Sequence, residues 1–211
     1  SDLSQQKEIR QKMNNPKPQE WRAEDLSQGY IADYKPLNFV DGEGVRNSLY
    51  VSGCPFHCEG CYNEVTWNFR FGVPYTLELE ERIMADMALS YVQGLTLLGG
   101  EPFLNTGTVL PLVKRIKSEL PGKDIWSWTG YTWDELMLET PDKLELLANI
   151  DILVDGRFDL SKKNLLLQFR GSSNQRIIDV QKSLKAGKVV IWEKLNDGEQ
   201  IVEQFHKEKL I

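Results

Sequence analysis

The chain has 211 residues, of which 41% are apolar and 27% charged, with 25 Lys and Arg against 31 Asp and Glu for a net charge of −6. That length suits one ordinary domain with a single core. The acidic balance argues against broad, phosphate-driven nucleic-acid binding, and no run approaches the roughly 18 apolar residues needed to span a bilayer.

Residues 1–29 are polar, carry Pro16 and Pro18, and read as an N-terminal extension, partly helical over Ser4–Met13 and loosely held after it. No charged-then-apolar leader opens the sequence; with free cysteines, a reducing cytoplasm is the expected compartment. Leu37–Val40 and Asn47–Ser52 predict two short strands around the turn Asp41-Gly42-Glu43-Gly44. The spacing of Leu79, Ile83, Met87 and Tyr91 predicts a helix over Leu77–Tyr91. Leu95–Leu98 is a short buried strand ending in Gly99-Gly100, and Val109, Val113, Ile116 and Leu120 mark a helix stopped by Pro121-Gly122. A strand over Ile125–Thr129 leads to the capping box Thr132-Trp133-Asp134-Glu135. A helix at Pro141–Ala148, strands at Ile150–Val154 and Leu165–Phe169, a helix at Asn174–Leu184 and a strand at Lys188–Trp192 complete the series. Such alternation implies parallel βαβ units. A full eight-fold barrel takes about 250 residues, so the expected fold is α/β, a partial open barrel of about six units. It would occupy residues 30–193, with a helical tail over 194–211.

All three cysteines, Cys54, Cys58 and Cys61, fall in one eight-residue window with the spacing C-x-x-x-C-x-x-C. They are odd in number and too closely spaced to pair off as disulfides. A structural zinc site would need a fourth ligand, His57 beside Cys58 or the remote His206. Three unrelated buried thiols would satisfy the count but not the clustering. An iron–sulfur cluster of the four-iron kind usually takes four thiolates, so three would leave one iron for a non-protein ligand.

Other segments carry two readings each. Gly99-Gly100-Glu101-Pro102 is by pattern a tight turn after a strand; it would also let a ligand reach the backbone and offer it the Glu101 carboxylate. Asp155-Gly156-Arg157 is either a strand-ending turn with a surface ion pair or two charges at the C-terminal mouth of the barrel. Strand alternation sets Trp126 and Trp128 on one face and Ser127 and Thr129 on the other, where these two hydroxyls would line the cavity. The hydroxyls of Arg170-Gly171-Ser172-Ser173 precede a predicted helix and would be N-caps; Arg170 would equally suit the barrel mouth.

The cysteine spacing followed by G-G-E-P about forty residues on resembles the radical S-adenosylmethionine (SAM) family. The resemblance implies a radical-SAM-type barrel and one 4Fe–4S cluster held by Cys54, Cys58 and Cys61, with SAM on the unique iron. One electron from the cluster would split SAM into methionine and a 5′-deoxyadenosyl radical. It also implies that Gly99, Gly100 and Glu101 meet the SAM amino group, that Arg157 holds its carboxylate, and that Asp155 orients the ribose or amino group. Ser127 and Thr129 would meet SAM hydroxyls. Many members carry an aromatic residue just before the third cysteine; here it is Gly60, so adenine contacts would come from the Gly60–Tyr62 backbone.

Val40-Asp41-Gly42-Glu43-Gly44-Val45-Arg46, Gly60-Cys61-Tyr62-Asn63 and the segments Trp126–Tyr131 and Arg170–Gln175 narrow the resemblance to glycyl-radical activating enzymes. Between Asn38 and Gln175 the chain is most similar to the branch serving the anaerobic (class III) ribonucleotide reductase. The implied partner is the large glycyl-radical subunit of that reductase, and the implied act is abstraction of a glycine hydrogen. An activase of another glycyl-radical enzyme, such as pyruvate formate-lyase, is the alternative. Without further C-x-x-C pairs for a second cluster, the resemblance implies an external, flavodoxin-like electron donor.

Overall fold

The computed structural model describes residues 15–197. β1 (Tyr30–Asn38) and β2 (Arg46–Val51) pair antiparallel, and β3 (Val73–Pro74) lies outside β1. β4 (Gly94–Gly99), β5 (Asp124–Trp128) and β6 (Ile152–Asp155) run parallel to β2 and to one another, while β7 (Arg176–Asp179) is antiparallel to β6. The order is β3-β1-β2-β4-β5-β6-β7, an open sheet whose edges are β3 and β7. The expected α/β class is present, and the sheet is not closed. The parallel part is four strands wide, because the chain enters and leaves the sheet through antiparallel edges.

The helices are α1 (Ala23–Leu26), α2 (Leu77–Met87), α3 (Thr106–Glu119), α4 (Trp133–Leu136), α5 (Pro141–Ala148) and α6 (Val180–Ala186). Ile83 and Met87 of α2, Leu112 and Ile116 of α3 and Leu146 of α5 bury against one face of the sheet. The row Leu49, Leu97, Ser127, Leu153 and Ile178 runs across that face in register. On the opposite face Trp126, Ile152, Val154 and Ile177 form a second cluster, roofed by Phe169 and Trp192 edge-on to Trp126 at 5.4 and 5.1 Å. Both faces are therefore dry, which is why β6 opens on Ile152-Leu153-Val154 and β4 is apolar but for the buried Thr96.

Several elements differ from the sequence reading. The predicted helix at Asn174–Leu184 opens instead as β7, because pairing with β6 and burial on both faces override the helical spacing; α6 begins at Val180 with Asp179 as its cap. Leu165–Phe169 is loop, with Leu165 and Leu166 exposed and Phe169 turned inward. Lys188–Trp192 contributes one isolated bridge, Ile178 to Ile191, rather than a strand. The capping box at Thr132 and Glu135 forms as read. Residues 15–29, expected to be loosely held, are anchored to the body through Trp21, Ala23 and Ser27. Ser4–Met13, His206 and most of the expected 194–211 tail lie outside the described residues; residues 194–197 are not helical.

Arg46 shows how the first loop is fixed. Its side chain is fully buried and donates to Thr96 Oγ1 (2.9 Å), the Glu43 carbonyl (3.0 Å), the Leu95 carbonyl (3.1 Å) and Asp124 Oδ1 (2.5 Å). Those bonds tie the Asp41–Val45 loop to the starts of β4 and β5. Arg46→Met would keep the stem and leave these acceptors without their donor. The expected cost is about 3 kcal/mol, read as a lower denaturant midpoint at unchanged slope.

Candidate functional site

The cysteine loop leaves the C-terminal end of β2 and is fastened at its stem. Gly53 N donates to the Thr66 carbonyl (2.7 Å) and Cys54 N to the Trp67 carbonyl (3.2 Å). The end of β4 lies flush on that stem, with Gly100 N donating to the Val51 carbonyl (2.9 Å) and Glu101 N to the Gly53 carbonyl (2.7 Å). A Cβ at Gly99 would come within 2.5 Å of the Val51 oxygen, and one at Gly100 within 2.5 Å of the Gly53 oxygen. The glycine pair is thus required by backbone meeting backbone, whatever ligand lies above it.

Cys54, Cys58 and Cys61 all keep partial exposure. Burial, and after it the Glu101 carboxylate, pushes the Cys54 thiol well up; burial, and then Cys61, raises Cys58. The backbone at Phe56 and at Phe158, beside Cys54 and Cys58 respectively, opposes those shifts. A loop whose burial disfavours bare thiolates suits thiolates whose charge is neutralised by metal. Among the described residues no three His, Cys, Asp or Glu side chains converge closely enough to hold a single ion. A 4Fe–4S cluster does not require that, since each thiolate binds a different iron. The His57 ring stacks on Trp67 at 4.4 Å.

Gly60 has φ +76°, and a Cβ there would approach Leu160 Cδ1 to 2.9 Å. A left-handed backbone and the nearby Leu160 and Phe158 account for glycine where an aromatic side chain would be strained. Tyr62, next along, is 88% exposed.

Glu101 is fully buried. Its carboxylate accepts from Phe103 N (3.0 Å), Gly130 N (2.7 Å) and the Thr129 hydroxyl (3.0 Å to each oxygen). Burial nonetheless pushes it up to about 7. Glu101 and Thr129 are therefore brought together at the strand ends. Ser127 is not: it sits in the helix-covered row described above, and its hydroxyl donates to the Trp128 carbonyl (3.0 Å).

Asp155 and Arg157 both line a cleft of about 890 Å³ beside the cysteine loop, with Asn174 and Arg176. Asp155 accepts from Trp133 N (2.9 Å) and from the Arg176 guanidinium (2.7 Å), while Arg157 is bidentate on Glu135 (2.8 and 2.9 Å) and lies 4.6 Å over the Phe56 ring. Arg176, Glu135 and Phe56 were not singled out from sequence. Only Glu135 carried a signal, as the capping residue, and it performs both tasks. Arg170 is engaged by Asp197 (2.7 Å). Ser172 is no N-cap: its hydroxyl accepts from Asp159 N (3.1 Å).

Residues 40–178 match the family described as a 4Fe-4S single cluster domain. The chain is 45% identical over 148 residues to the anaerobic ribonucleoside-triphosphate reductase-activating protein of Pasteurella multocida, covering 68% of this chain and 93% of that one. It is 46% identical over 148 residues to the protein of the same name from Vibrio cholerae, with 68% and 94% covered. Against that of Enterobacteria phage T4 the identity is 41% over 146 residues, with 67% and 88% covered. Among the described residues no helix is long and apolar enough to cross a membrane.

Proposed function

We propose, from the premise that this chain belongs to the family of the anaerobic ribonucleoside-triphosphate reductase-activating proteins, that it activates the anaerobic class III reductase by making a glycyl radical on it. When bound, a 4Fe–4S cluster and SAM would supply the chemistry, reductive cleavage of the sulfonium coupled to removal of a hydrogen from the reductase glycine. Cys54, Cys58 and Cys61 hold the cluster. The observation that carries the reading is the Arg157 guanidinium lying 4.6 Å over the ring of Phe56, which joins the three-thiol loop to the cleft of Asp155 and Arg157.

Around that cleft Arg157 binds the SAM carboxylate, exchanging part of its bidentate hold on Glu135, and Asp155 acts through Arg176. Glu101, with Thr129 and the Gly99-Gly100 backbone, receives the amino group; the Gly60–Tyr62 backbone borders the adenine. Ser127, on the helix-covered face, takes no part. The four parallel strands with these residues at their C-terminal ends support a shortened radical-SAM-type barrel over residues 30–193. With three cysteines in the whole sequence, the electron comes from outside, from a flavodoxin-like donor in the cytoplasm.

The test is anaerobic incubation with reductant, SAM and the reductase, followed by electron paramagnetic resonance. The expected result is a stable organic radical on the reductase that requires all three components. A radical appearing on pyruvate formate-lyase and not on the reductase would overturn the choice of partner.

A further inference from the structure

The cysteine loop has no regular secondary structure between Cys54 and Cys58, so its place depends on where Phe56 is seated. Phe56 is 1% exposed. One wall of its seat is Tyr131, edge-on at 5.1 Å, and another is the Arg157 guanidinium. A third comes from outside the family match, which begins at residue 40: Trp21 meets Phe56 edge-on, with centroids 5.0 Å apart at 75°.

Trp21 is held in turn. Its carbonyl accepts from Lys143 Nζ (2.6 Å), and Lys143, fully buried, pairs with Glu139 (2.9 Å). Gln19 adds bonds to Glu139 Oε1 (3.4 Å) and the Leu138 carbonyl (3.2 Å). At the other end of the segment the Ser27 hydroxyl donates to Asn105 Oδ1 (2.8 Å), and the Asn105 amide donates to the carbonyls of Ser52 (3.1 Å) and Glu101 (3.0 Å). A buried ammonium is costly unless every proton finds an acceptor. Here its acceptors are Trp21, Glu139 and Thr140, so the segment completes the shell of a buried charge as well as touching the loop.

We infer that residues 19–27 are a positioning brace for the cysteine loop, with Trp21 as the residue that fixes Phe56 and thereby the spacing of Cys54 and Cys58. The inference rests on the reading of that loop as a cluster site, and its test separates the two. In the full-length protein without cluster, Cys54 and Cys58 are only partly exposed, so their rate of iodoacetamide alkylation rises as the loop loosens. Trp21→Ala should be alkylated about two- to tenfold faster, the range set by loss of an aromatic edge contact, and Trp21→Phe should restore most of the protection. In the reconstituted protein the same order should hold for loss of the brown chromophore to a chelator. Leu26→Ala loosens the same segment away from the loop, and should lower the melting temperature without speeding alkylation. Equal rates in Trp21→Ala and wild type, or equal acceleration in Leu26→Ala, would overturn the brace. Should Trp21→Ala not fold, Trp21→Leu, which keeps apolar bulk and drops the ring edge, decides by the same comparison. A wild-type protein that takes up no cluster would sink the cluster reading and leave the alkylation result standing.

Discussion

Cys58→Ala is expected to leave the anaerobically reconstituted protein without its brown chromophore and without detectable 5′-deoxyadenosine formation from SAM. Two thiolates cannot hold a four-iron cluster that the loop binds through three, and the remaining cysteines have no substitute nearby. The sequence contains no fourth thiol, and the neighbouring His57 ring is stacked on Trp67. The loss should be local. The stem of the loop is fastened by the bonds of Gly53 and Cys54 to Thr66 and Trp67, none of which involves the Cys58 sulfur. Removing that partly exposed atom should cost the cluster-free protein about 1 kcal/mol or less, so its melting temperature should stay near that of wild type. SAM cleavage at the wild-type rate in this variant would refute the ligand assignment.

The cluster loop was legible from sequence because its signal is local: three residues of one rare type at fixed spacing. The G-G-E-P turn was legible for a similar reason, though the two glycines turn out to be demanded by the Val51–Gly53 backbone rather than by pattern alone. What the sequence hid is pairwise. Arg176 holds Asp155 across the junction of β6 and β7, and Glu135 holds Arg157 from a neighbouring helix; neither pairing leaves a trace in spacing. Ser127 was misplaced in part by parity. Alternation correctly separated it from Trp126 and Trp128, but nothing in five residues says which side of a sheet the helices cover when both sides are dry. Ile177 and Ile178 read as helix for the related reason that each is buried on a different face, which erases the period of two. The brace over residues 19–27 was missed because its composition is polar; its hold comes from one Trp and from a Lys more than a hundred residues away.

Glu101→Ala is expected to destabilise the cluster-free protein by about 3 kcal/mol or more, while Glu101→Gln costs clearly less. In the alanine variant the buried N–H groups of Phe103 and Gly130 and the Thr129 hydroxyl lose their acceptor together, and each unmet donor costs roughly 1–3 kcal/mol. Glutamine retains one carbonyl oxygen and the shape. Both variants should keep the chromophore and hold SAM less tightly, because the cluster ligands are untouched while the charge that would meet the amino group is gone. The pH dependence separates charge from shape. Burial lifts the Glu101 carboxyl from 4.5 to about 7, so the folded protein holds this proton more tightly than the unfolded chain does. Its contribution is then fully present below about pH 4.5 and is lost as pH rises through about 7, a loss of roughly 3 kcal/mol at ~1.4 kcal/mol per unit. Glu101→Gln has nothing to ionise. Its unfolding free energy, measured by denaturant titration across this range, should fall less steeply than that of wild type. Parallel curves would mean that the carboxylate is already ionised throughout, and that a cation drawn to Glu101 would find it charged before SAM arrives.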